Sequence, residues 1–154
     1  MKILVCISHV PDTTSKINFI DNDTKFDTNG VQFVINPNDE FGLTRAMLLK
    51  EKQGASITVV SVGCSETEPT LRKALAIGAD EAIRINTEAK DGITVAKELS
   101  HVIQDRGFDL VIAGRESIDY NGGMVPGMVA ALTNANFVNN CISWEIDGSV
   151  VKAI

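Results

Sequence analysis

Four short runs of apolar, mostly β-branched residues recur along the chain, and more polar stretches separate them. The runs cover residues 2–8, 56–63, 81–86 and 108–114. A near-continuous apolar run of this length is typical of a strand that is buried on both faces of a parallel sheet. We therefore predict four strands in one parallel sheet.

Three of the intervening stretches carry helix signals, at residues 36–54, 65–80 and 92–107. The first opens with Asn-Pro and acidic residues and closes with Lys and Gly, which are ordinary start and stop signals. Apolar residues recur at helical spacing in the other two. These positions are Leu71, Ala74, Leu75, Ile77, Val95, Leu99 and Val102 or Ile103.

Alternation of buried strands with amphipathic helices predicts βαβ units. We expect a single α/β domain over residues 1–154, a Rossmann-like parallel twisted sheet with helices on both faces. Ligands of such sheets bind beyond the carboxyl ends of the strands, where the strand order reverses. Those ends are predicted at Ser8, Val62–Gly63 and Ala113–Gly114.

Residues 11–35 form an excursion that is longer than the usual connection of about 2–6 residues. The short pieces 16–20 and 32–35 within it favour a small hairpin. The acidic stretch between them lacks the regular ligands and closing Glu of a calcium loop, so we interpret it as a solvated turn.

The C-terminal residues 137–154 also depart from the alternation. Asp147-Gly148 is a hairpin turn signal between two strand-like runs, which predicts a small C-terminal β-hairpin. The second run stops at Ile154 without a cap or polar tail, and we expect the chain to be shortened at this end.

Composition narrows the function class. The 154 residues carry a net charge of −6, with no basic stripe of the kind that nucleic acids require. No uncharged run approaches the ~20 residues of a membrane helix, so no direct membrane insertion is expected. Cys6, Cys64 and Cys141 lack metal-ligand spacing and are typical of reduced thiols in a bacterial cytoplasm.

No catalytic constellation is recognisable, and we predict neither catalytic nor metal-binding residues. There is no GxSxG elbow, and Cys6 lies within a predicted strand, where a packed thiol is expected. His9 has no evident partner and is interpreted as a surface or loop histidine. The carboxylates of Asp21 and Asp23 lie in the excursion, away from the predicted ligand edge.

A Gly-Gly pair follows the last predicted strand. Gly122 and Gly123 lack Cβ atoms ahead of an apolar helical stretch in which Pro126 fits the first turn. Free amides at such a helix start favour an anionic group, and the glycines would let it approach. A flexible turn is the alternative, because no GxGxxG or GxxxxGK[ST] pattern is present.

Two interpretations remain open for the polar residues near the same edge. Asp119 and Arg115 either contact a ribose or phosphate or lie in solvent. Asn36 and Asn38 either contact the ligand or cap the first helix.

Five blocks of the chain together resemble the β subunit of electron transfer flavoprotein. In order and spacing they are MKILVCISHVPD, FDTNGVQFVINPNDEFGLTRAMLLKEK, TLRKALAIGADEAIRI, DLVIAGRESIDYNGG and EIDG. The resemblance covers essentially the whole chain, and the blocks TLRKALAIGAD and AGRESID are the most specific.

The resemblance implies an adenine-nucleotide-hydrolase-like domain without catalysis of its own. It implies a structural AMP in this chain and a heterodimer with an α subunit that carries FAD. The heterodimer passes electrons from acyl-CoA dehydrogenases of fatty acid oxidation to a membrane quinone oxidoreductase. In the bifurcating class, a second FAD replaces AMP.

The resemblance also implies the cofactor-binding residues. These are Cys6, Asn36, Pro37, Asn38, Asp39, Val62, Glu116, Ser117, Ile118, Asp119, Asn121, Gly122, Gly123, Met124, Val125 and Gly127. Residues 120–127 carry fewer side-chain donors than the family's usual loop, so backbone amides must contribute more; we favour AMP over a second FAD.

Two other nucleotide-binding classes fit the sequence less well. A stand-alone module of the universal stress type usually carries a G-x2-G-x9-G-[ST] loop, and here no Gly-Ser or Gly-Thr completes one. ATP-cleaving relatives use an SGGxDS loop after the first strand, whereas this chain has ISHVPD.

Overall fold

The computed structural model describes residues Met1–Ile154, and strands alternate with helices through most of the chain. Its strands are β1 Lys2–Cys6, β2 His9–Pro11, β3 Phe19–Ile20, β4 Lys25–Phe26, β5 Phe33–Ile35, β6 Ser56–Val62, β7 Glu81–Ile85, β8 Leu110–Ala113, β9 Trp144–Asp147 and β10 Val150–Ala153. Its helices are α1 Pro37–Gln53, α2 Glu68–Ile77, α3 Gly92–Arg106 and α4 Val125–Thr133, and a 3₁₀ turn at Ser65–Thr67 precedes α2.

The central sheet has four parallel strands in the order β7-β6-β1-β8. The chain builds outward from β1 through β6 to β7 and then crosses back to place β8 on the other side of β1. The strand order therefore reverses between β1 and β8, which is the topological switch point of a Rossmann-like sheet. This arrangement confirms the predicted fold class.

Helices cover both faces of the sheet, and the alternation of side chains along each strand divides the core in two. Ile3 and Val5 belong to a cluster of 13 buried residues beneath α1 and α2. Leu4 and Val60 belong to a smaller cluster of five beneath α3 and α4. Burial of each large aliphatic side chain contributes about 1.5–3 kcal/mol.

The α2 region differs in detail from its prediction. The α-helix begins only at Glu68, after the 3₁₀ turn, and it buries Thr70, Leu71 and Ala74. Leu75 and Ile77, which the spacing assigned to the buried face, are exposed.

The excursion after β1 contains a hairpin, but its strands are not the two predicted pieces. Phe19–Ile20 pairs with Lys25–Phe26, and the turn holds Asp21, Asn22 and Asp23 at positive φ. Phe33–Ile35 pairs instead with His9–Pro11 at the base of the excursion. Because these two segments are 22 or more positions apart in the chain, local pattern could not reveal their pairing.

The predicted C-terminal hairpin is confirmed. Strands β9 and β10 pair antiparallel around a two-residue turn that begins with Gly148 at φ +60°. The hairpin contacts α1 through Trp144, whose ring lies 4.8 Å below the Arg45 guanidinium carbon, a cation–π arrangement. Trp144 and Ile146 also pack against the larger core cluster.

Candidate functional site

A cleft with a volume of about 350 Å³ opens at the carboxyl edge of the sheet, over the switch point between β1 and β8. The ends of β1, β6 and β8 form its floor. The first turn of α1, the loop after β8 and the start of α4 form its walls. Parallel sheets of this type bind ligands at this position, and the volume falls within the range of small-molecule sites, about 300–1,000 Å³.

One wall of the cleft is apolar. Val60 and Val62 on β6, Val95 and Leu99 on α3, and Val125 at the start of α4 supply it. All three elements, β6, α3 and α4, contribute to the smaller core cluster, so the wall is continuous with the packed interior. It offers a surface suited to a flat, weakly polar group.

The opposite wall is polar, and Asn36 organises it. Its side-chain Nδ2 donates to the Glu116 carbonyl (2.8 Å), and its Oδ1 accepts the Ile118 amide (3.3 Å). Asn38 Nδ2 donates to the same Glu116 carbonyl at 3.0 Å. Asn36 occupies the N-cap position of α1 without a side-chain capping bond. Both asparagines therefore tie α1 to the loop after β8.

Asp39 joins the carboxyl ends of the neighbouring strands β1 and β8. Its Oδ2 accepts the Ser8 amide and its Oδ1 accepts the Gly114 amide, each at 2.8 Å. The residue is only 4% exposed. Burial raises the pKa of the Asp39 carboxyl to about 6, although both amide bonds favour the charged form. The carboxylate is thus a fixed part of the cleft wall.

Gly114 is required by this arrangement. A Cβ at position 114 would collide with Asp39 Oδ1 and would lie 2.8 Å from the backbone carbon of Asn38. The φ angle of Gly114 is not positive, so the requirement is for space and not for an unusual backbone conformation. The first turn of α1 can approach the end of β8 only because no side chain intervenes.

Cys6 and His9 also line the cleft. Burial and the neighbouring Asp39 raise the pKa of Cys6 to about 12, so this group remains a neutral thiol. His9 was expected in a loop or on the surface, but it is half-buried in β2. Its ring stacks on Phe33 at 4.3 Å between centroids, its Nδ1 lies 2.7 Å from Thr70 Oγ1, and burial lowers its pKa.

The Gly-Gly pair lies in the loop between β8 and α4, ahead of the helix as expected. The Gly122 carbonyl accepts the Ser117 amide at 2.9 Å, which closes the loop on itself. A Cβ on Gly122 would collide with the Tyr120 ring, and one on Gly123 would lie 3.2 Å from the Arg115 carbonyl. Gly122 therefore makes room for a neighbouring side chain within the loop.

Helix α4 begins at the cleft without a side-chain cap. Met124 occupies its N-cap position and offers no acceptor, and Pro126 lies in the first turn, as predicted. Helical geometry leaves the first-turn amides of Val125 and Gly127 without intrahelical partners. Val125 and Pro126 line the cleft, so this partial positive charge faces its interior.

The charged side chains that line the cleft are acidic. They are Asp39, Glu66, Glu88, Glu116 and Asp119, and no Lys or Arg is among them. Arg115 lies in the loop after β8 and pairs with Glu116. An anion in the cleft would have backbone amides as its principal donors.

The structure brings together nine of the sixteen residues proposed for the cofactor. Cys6, Asn36, Asp39, Val62, Glu116, Ser117, Asp119, Gly122 and Val125 line the cleft. Seven do not line it, namely Pro37, Asn38, Ile118, Asn121, Gly123, Met124 and Gly127. Most of these seven lie in the loop between β8 and α4 or at the start of α4.

Several lining residues were absent from the proposed set. Ser8, Gly63 and Gly114 follow strand ends directly, and the position of those ends was a sufficient signal to include them. Glu66 and Glu88 line the cleft from the segments after β6 and β7. No local pattern marks these two residues, because the sheet alone brings their segments to this edge.

No group of three or more His, Cys, Asp or Glu side chains is placed to hold a metal ion. None of the helices combines the length and the apolar character needed to cross a membrane.

Comparison with known proteins identifies the family. A family model described as electron transfer flavoprotein domain matches residues 23–154. The chain belongs to this family. The match begins within the excursion and includes α1, the cleft loop and the C-terminal hairpin.

Named relatives agree with this assignment of an electron transfer flavoprotein domain. The electron transfer flavoprotein subunit beta of Bacillus subtilis is 35% identical, over 99% of this chain and 60% of the relative. Its namesake from Thermoanaerobacterium thermosaccharolyticum is 38% identical, over 96% and 58%. Protein FixA of Azotobacter vinelandii is 36% identical, over 86% and 50%. The chain thus spans about 60% of the length of its first relatives.

Proposed function

We propose that this protein is the nucleotide-binding part of an electron transfer flavoprotein β subunit, and that its cleft holds AMP. The observation that carries the proposal is the uncapped start of α4, which borders the cleft at the switch point of the sheet. A phosphate bound there would receive the amides of Val125 and Gly127 and the favourable end of the helix dipole.

The two walls of the cleft match the two other parts of such a ligand. Val62, Val95 and Val125, which are only partly buried, offer an apolar surface for an adenine ring. Asp119 and Glu116 offer carboxylates that can accept hydrogen bonds from ribose hydroxyls. In this arrangement the chain binds and orients a nucleotide, and no group in the cleft is arranged as a nucleophile with a base.

We further propose that an FAD-carrying α subunit is the partner, as the names of the relatives suggest for an electron transfer flavoprotein. Exposed apolar side chains concentrate in the last part of the chain, which supports a protein partner there. They include Leu132, Phe137, Val138, Ile142, Val150, Val151 and Ile154. In this role the heterodimer carries electrons from acyl-CoA-type dehydrogenases to a quinone oxidoreductase of the respiratory chain, and the chain itself catalyses nothing.

Three free cysteines fit a reducing compartment, and we propose the bacterial cytoplasm as the place of action.

The test is the nucleotide content of the complex. The natural chain is co-expressed with its neighbouring α subunit, the purified complex is denatured, and released AMP and FAD are quantified. One AMP and one FAD per complex are expected. Two FAD and no AMP would assign the bifurcating class, and a chain that binds nucleotide without any α subunit would be a stand-alone module.

A paired variant links that content to the cleft. Replacing Gly122 and Gly123 together by Val should remove AMP, because the new side chains displace Tyr120 and crowd the loop while the core is untouched. Gly30→Asn is the matched control: Gly30 has open space around it and a φ of +73°, which Asn tolerates. Unchanged AMP content in the double variant would contradict the assignment of this loop.

A further inference from the structure

We propose that Asn121-Gly122 is a site of spontaneous chemical modification, at which the Asn121 side-chain amide is lost and the residue becomes aspartate or iso-aspartate. The iso-aspartate product opens the loop that joins β8 to α4 and lines the cleft. This chemistry belongs to the polypeptide itself and does not depend on the ligand proposed for the cleft.

The reaction needs only an asparagine, the backbone amide that follows it and water. The Gly122 nitrogen loses its proton and attacks the Asn121 side-chain carbonyl carbon. A bond forms between these two atoms, the bond from that carbon to Nδ2 breaks, and Nδ2 leaves as ammonia with a proton. Water then opens the cyclic imide. Cleavage at the side-chain carbonyl gives aspartate, and cleavage at the main-chain carbonyl gives iso-aspartate, whose main chain is longer by one atom.

The chain contains this dipeptide twice, at Asn29-Gly30 and at Asn121-Gly122. Both asparagines are exposed, and neither glycine has a Cβ that would hinder the attack. The two dipeptides are therefore equivalent in sequence, and a difference between their reactivities must come from the structure around them.

The Asn29 side chain is held in place by a neighbouring carboxylate. Asp27 Oδ1 accepts both the Asn29 Nδ2, at 2.8 Å, and the Asn29 backbone amide, at 3.1 Å. The attack requires the Asn29 side chain to rotate towards the Gly30 amide, and the bond to a charged acceptor resists this rotation. Breaking one hydrogen bond of this kind slows a reaction by about tenfold.

The Asn121 side chain has no such restraint. None of the hydrogen bonds of the loop after β8 uses it. Gly122 faces Ser117 in an isolated bridge, and the well-formed bond of that bridge is accepted by the Gly122 carbonyl, not donated by its amide. A second glycine follows at position 123, so the backbone can adjust to the attack with little steric resistance. We therefore expect the faster reaction at Asn121.

The modification changes the loop as well as its charge. Asn121 has a φ of +57°, a left-handed conformation that asparagine tolerates, and it lies in the turn between Ser117 and Gly122. Aspartate fits the same conformation, but the longer main chain of iso-aspartate displaces Gly122 relative to Ser117. Both of these residues line the cleft, so iso-aspartate alters the cleft wall.

The first experiment compares the two dipeptides within one sample. The natural protein is incubated at pH 8 and 37 °C and digested at acidic pH, and its peptides are quantified by mass spectrometry. We expect the Asn121 peptide to lose its amide about tenfold faster than the Asn29 peptide. In protein unfolded with guanidinium chloride, the two should react at similar rates. Equal rates in the folded protein, or a faster reaction at Asn29, would overturn the inference.

A variant tests the cause of the difference. Asp27→Ala removes the acceptor that holds Asn29 and should accelerate the reaction at Asn29 by about tenfold, while the rate at Asn121 stays the same. An unchanged rate at Asn29 in this variant would contradict the role given to side-chain restraint and would overturn the inference.

The effect on the loop is tested by hydrogen exchange of the Ser117 amide, followed by NMR. The iso-aspartate form is purified by chromatography, and Asn121→Asp is its matched control, because it carries the same new charge on an ordinary main chain. We expect the Ser117 amide to exchange at least about tenfold faster in the iso-aspartate form. Asn121→Asp should match the natural protein. Equal protection in the iso-aspartate form and in Asn121→Asp would overturn the proposed opening of the loop.

Discussion

At both edges of the parallel sheet, Asp carboxylates accept backbone amides, but the surroundings of these carboxylates differ between the two edges. At the amino edge, Asp80 accepts the Ile57 amide at 2.8 Å and Asp109 accepts the Lys2 amide at 2.7 Å. At the carboxyl edge, Asp39 accepts two such amides. The amino-edge carboxylates are exposed, and Asp80 pairs with Lys50. Asp39 is buried and has no cation.

The pKa values follow from this difference. Hydrogen bonds from Lys50 and the Ile57 amide lower the pKa of Asp80, whereas burial raises that of Asp39 to about 6. The amino edge also carries a depression of about 380 Å³, similar in volume to the cleft. Volume alone therefore does not distinguish the two edges; strand polarity, the buried Asp39 carboxylate and the uncapped start of α4 do.

The largest effect is expected at Gly114, which follows β8. Gly114→Val should destabilise the fold by about 3 kcal/mol or more, because its side chain would separate α1 from β8 at Asp39. Gly107→Asn at the amino end of the same strand is the matched control. Gly107 has open space and a φ of +62°, and its replacement should cost less than about 1 kcal/mol. Urea denaturation measures both, and equal losses would contradict the close packing at Gly114.

The second prediction concerns stability against pH. Between about pH 4 and pH 6 the folded protein keeps a proton on Asp39 that the unfolded chain has released. This contribution favours folding at low pH and is lost as the pH rises through about 6. It amounts to about 3 kcal/mol, since one pKa unit corresponds to about 1.4 kcal/mol.

Urea unfolding of the natural protein and Asp39→Asn at pH 4.5 and pH 7.5 tests this sign. The natural protein should gain stability relative to the variant at the lower pH. A difference between the two proteins that does not change with pH would mean that Asp39 does not titrate in this window.

The third prediction compares two asparagines of the polar wall. Asn36→Ala removes two hydrogen bonds to the loop after β8 and should cost about 2 kcal/mol. Asn38→Ala removes one of two donors to the Glu116 carbonyl and should cost about 1 kcal/mol or less. Thermal unfolding gives the order, and a larger loss in Asn38→Ala would reverse the assigned roles.

The smallest effect is expected at the amino edge. Asp80→Asn should cost at most about 1 kcal/mol, because its ion pair with Lys50 is solvent-screened. The stability that Asp80 contributes is present above the ordinary pKa of an Asp, about 4, and is lost as the pH falls through its lowered value, opposite in sign to Asp39. Raising the salt concentration should reduce the difference between Asp80→Asn and the natural protein; a salt-independent loss would assign it to the Ile57 amide bond instead.

Strand and helix order could be predicted because apolar residues predominate in each strand of the parallel sheet. The carboxyl edge followed from that order, and it correctly located a cleft. The roles of single residues could not be predicted in the same way. Asp39 binds amides 31 and 75 positions away, and His9 contacts Thr70 61 positions away. Such contacts depend on how the helices pack against the sheet.

Gly122 shows the same limit at short range. The Gly-Gly pair was expected to let an anionic group approach, whereas the group that a Cβ on Gly122 would meet in the structure is the Tyr120 ring, two positions earlier. Sequence spacing gives no information on the direction in which that ring turns. Leu75 and Ile77 show a second limit, because both continue the apolar spacing of α2 and yet are exposed.

The short pairing of β2 with β5 has a consequence for engineering and for divergence. His9 lies opposite Ile35, and the Asn36 amide donates to the Ser8 carbonyl at 3.0 Å, so the excursion leaves and rejoins the domain at one point. The pairing of β2 with β5 would separate a segment inserted at Asn22 from the cleft. The tip of the excursion is therefore the natural position for a graft, a spectroscopic label or an inherited insertion that spares the cleft.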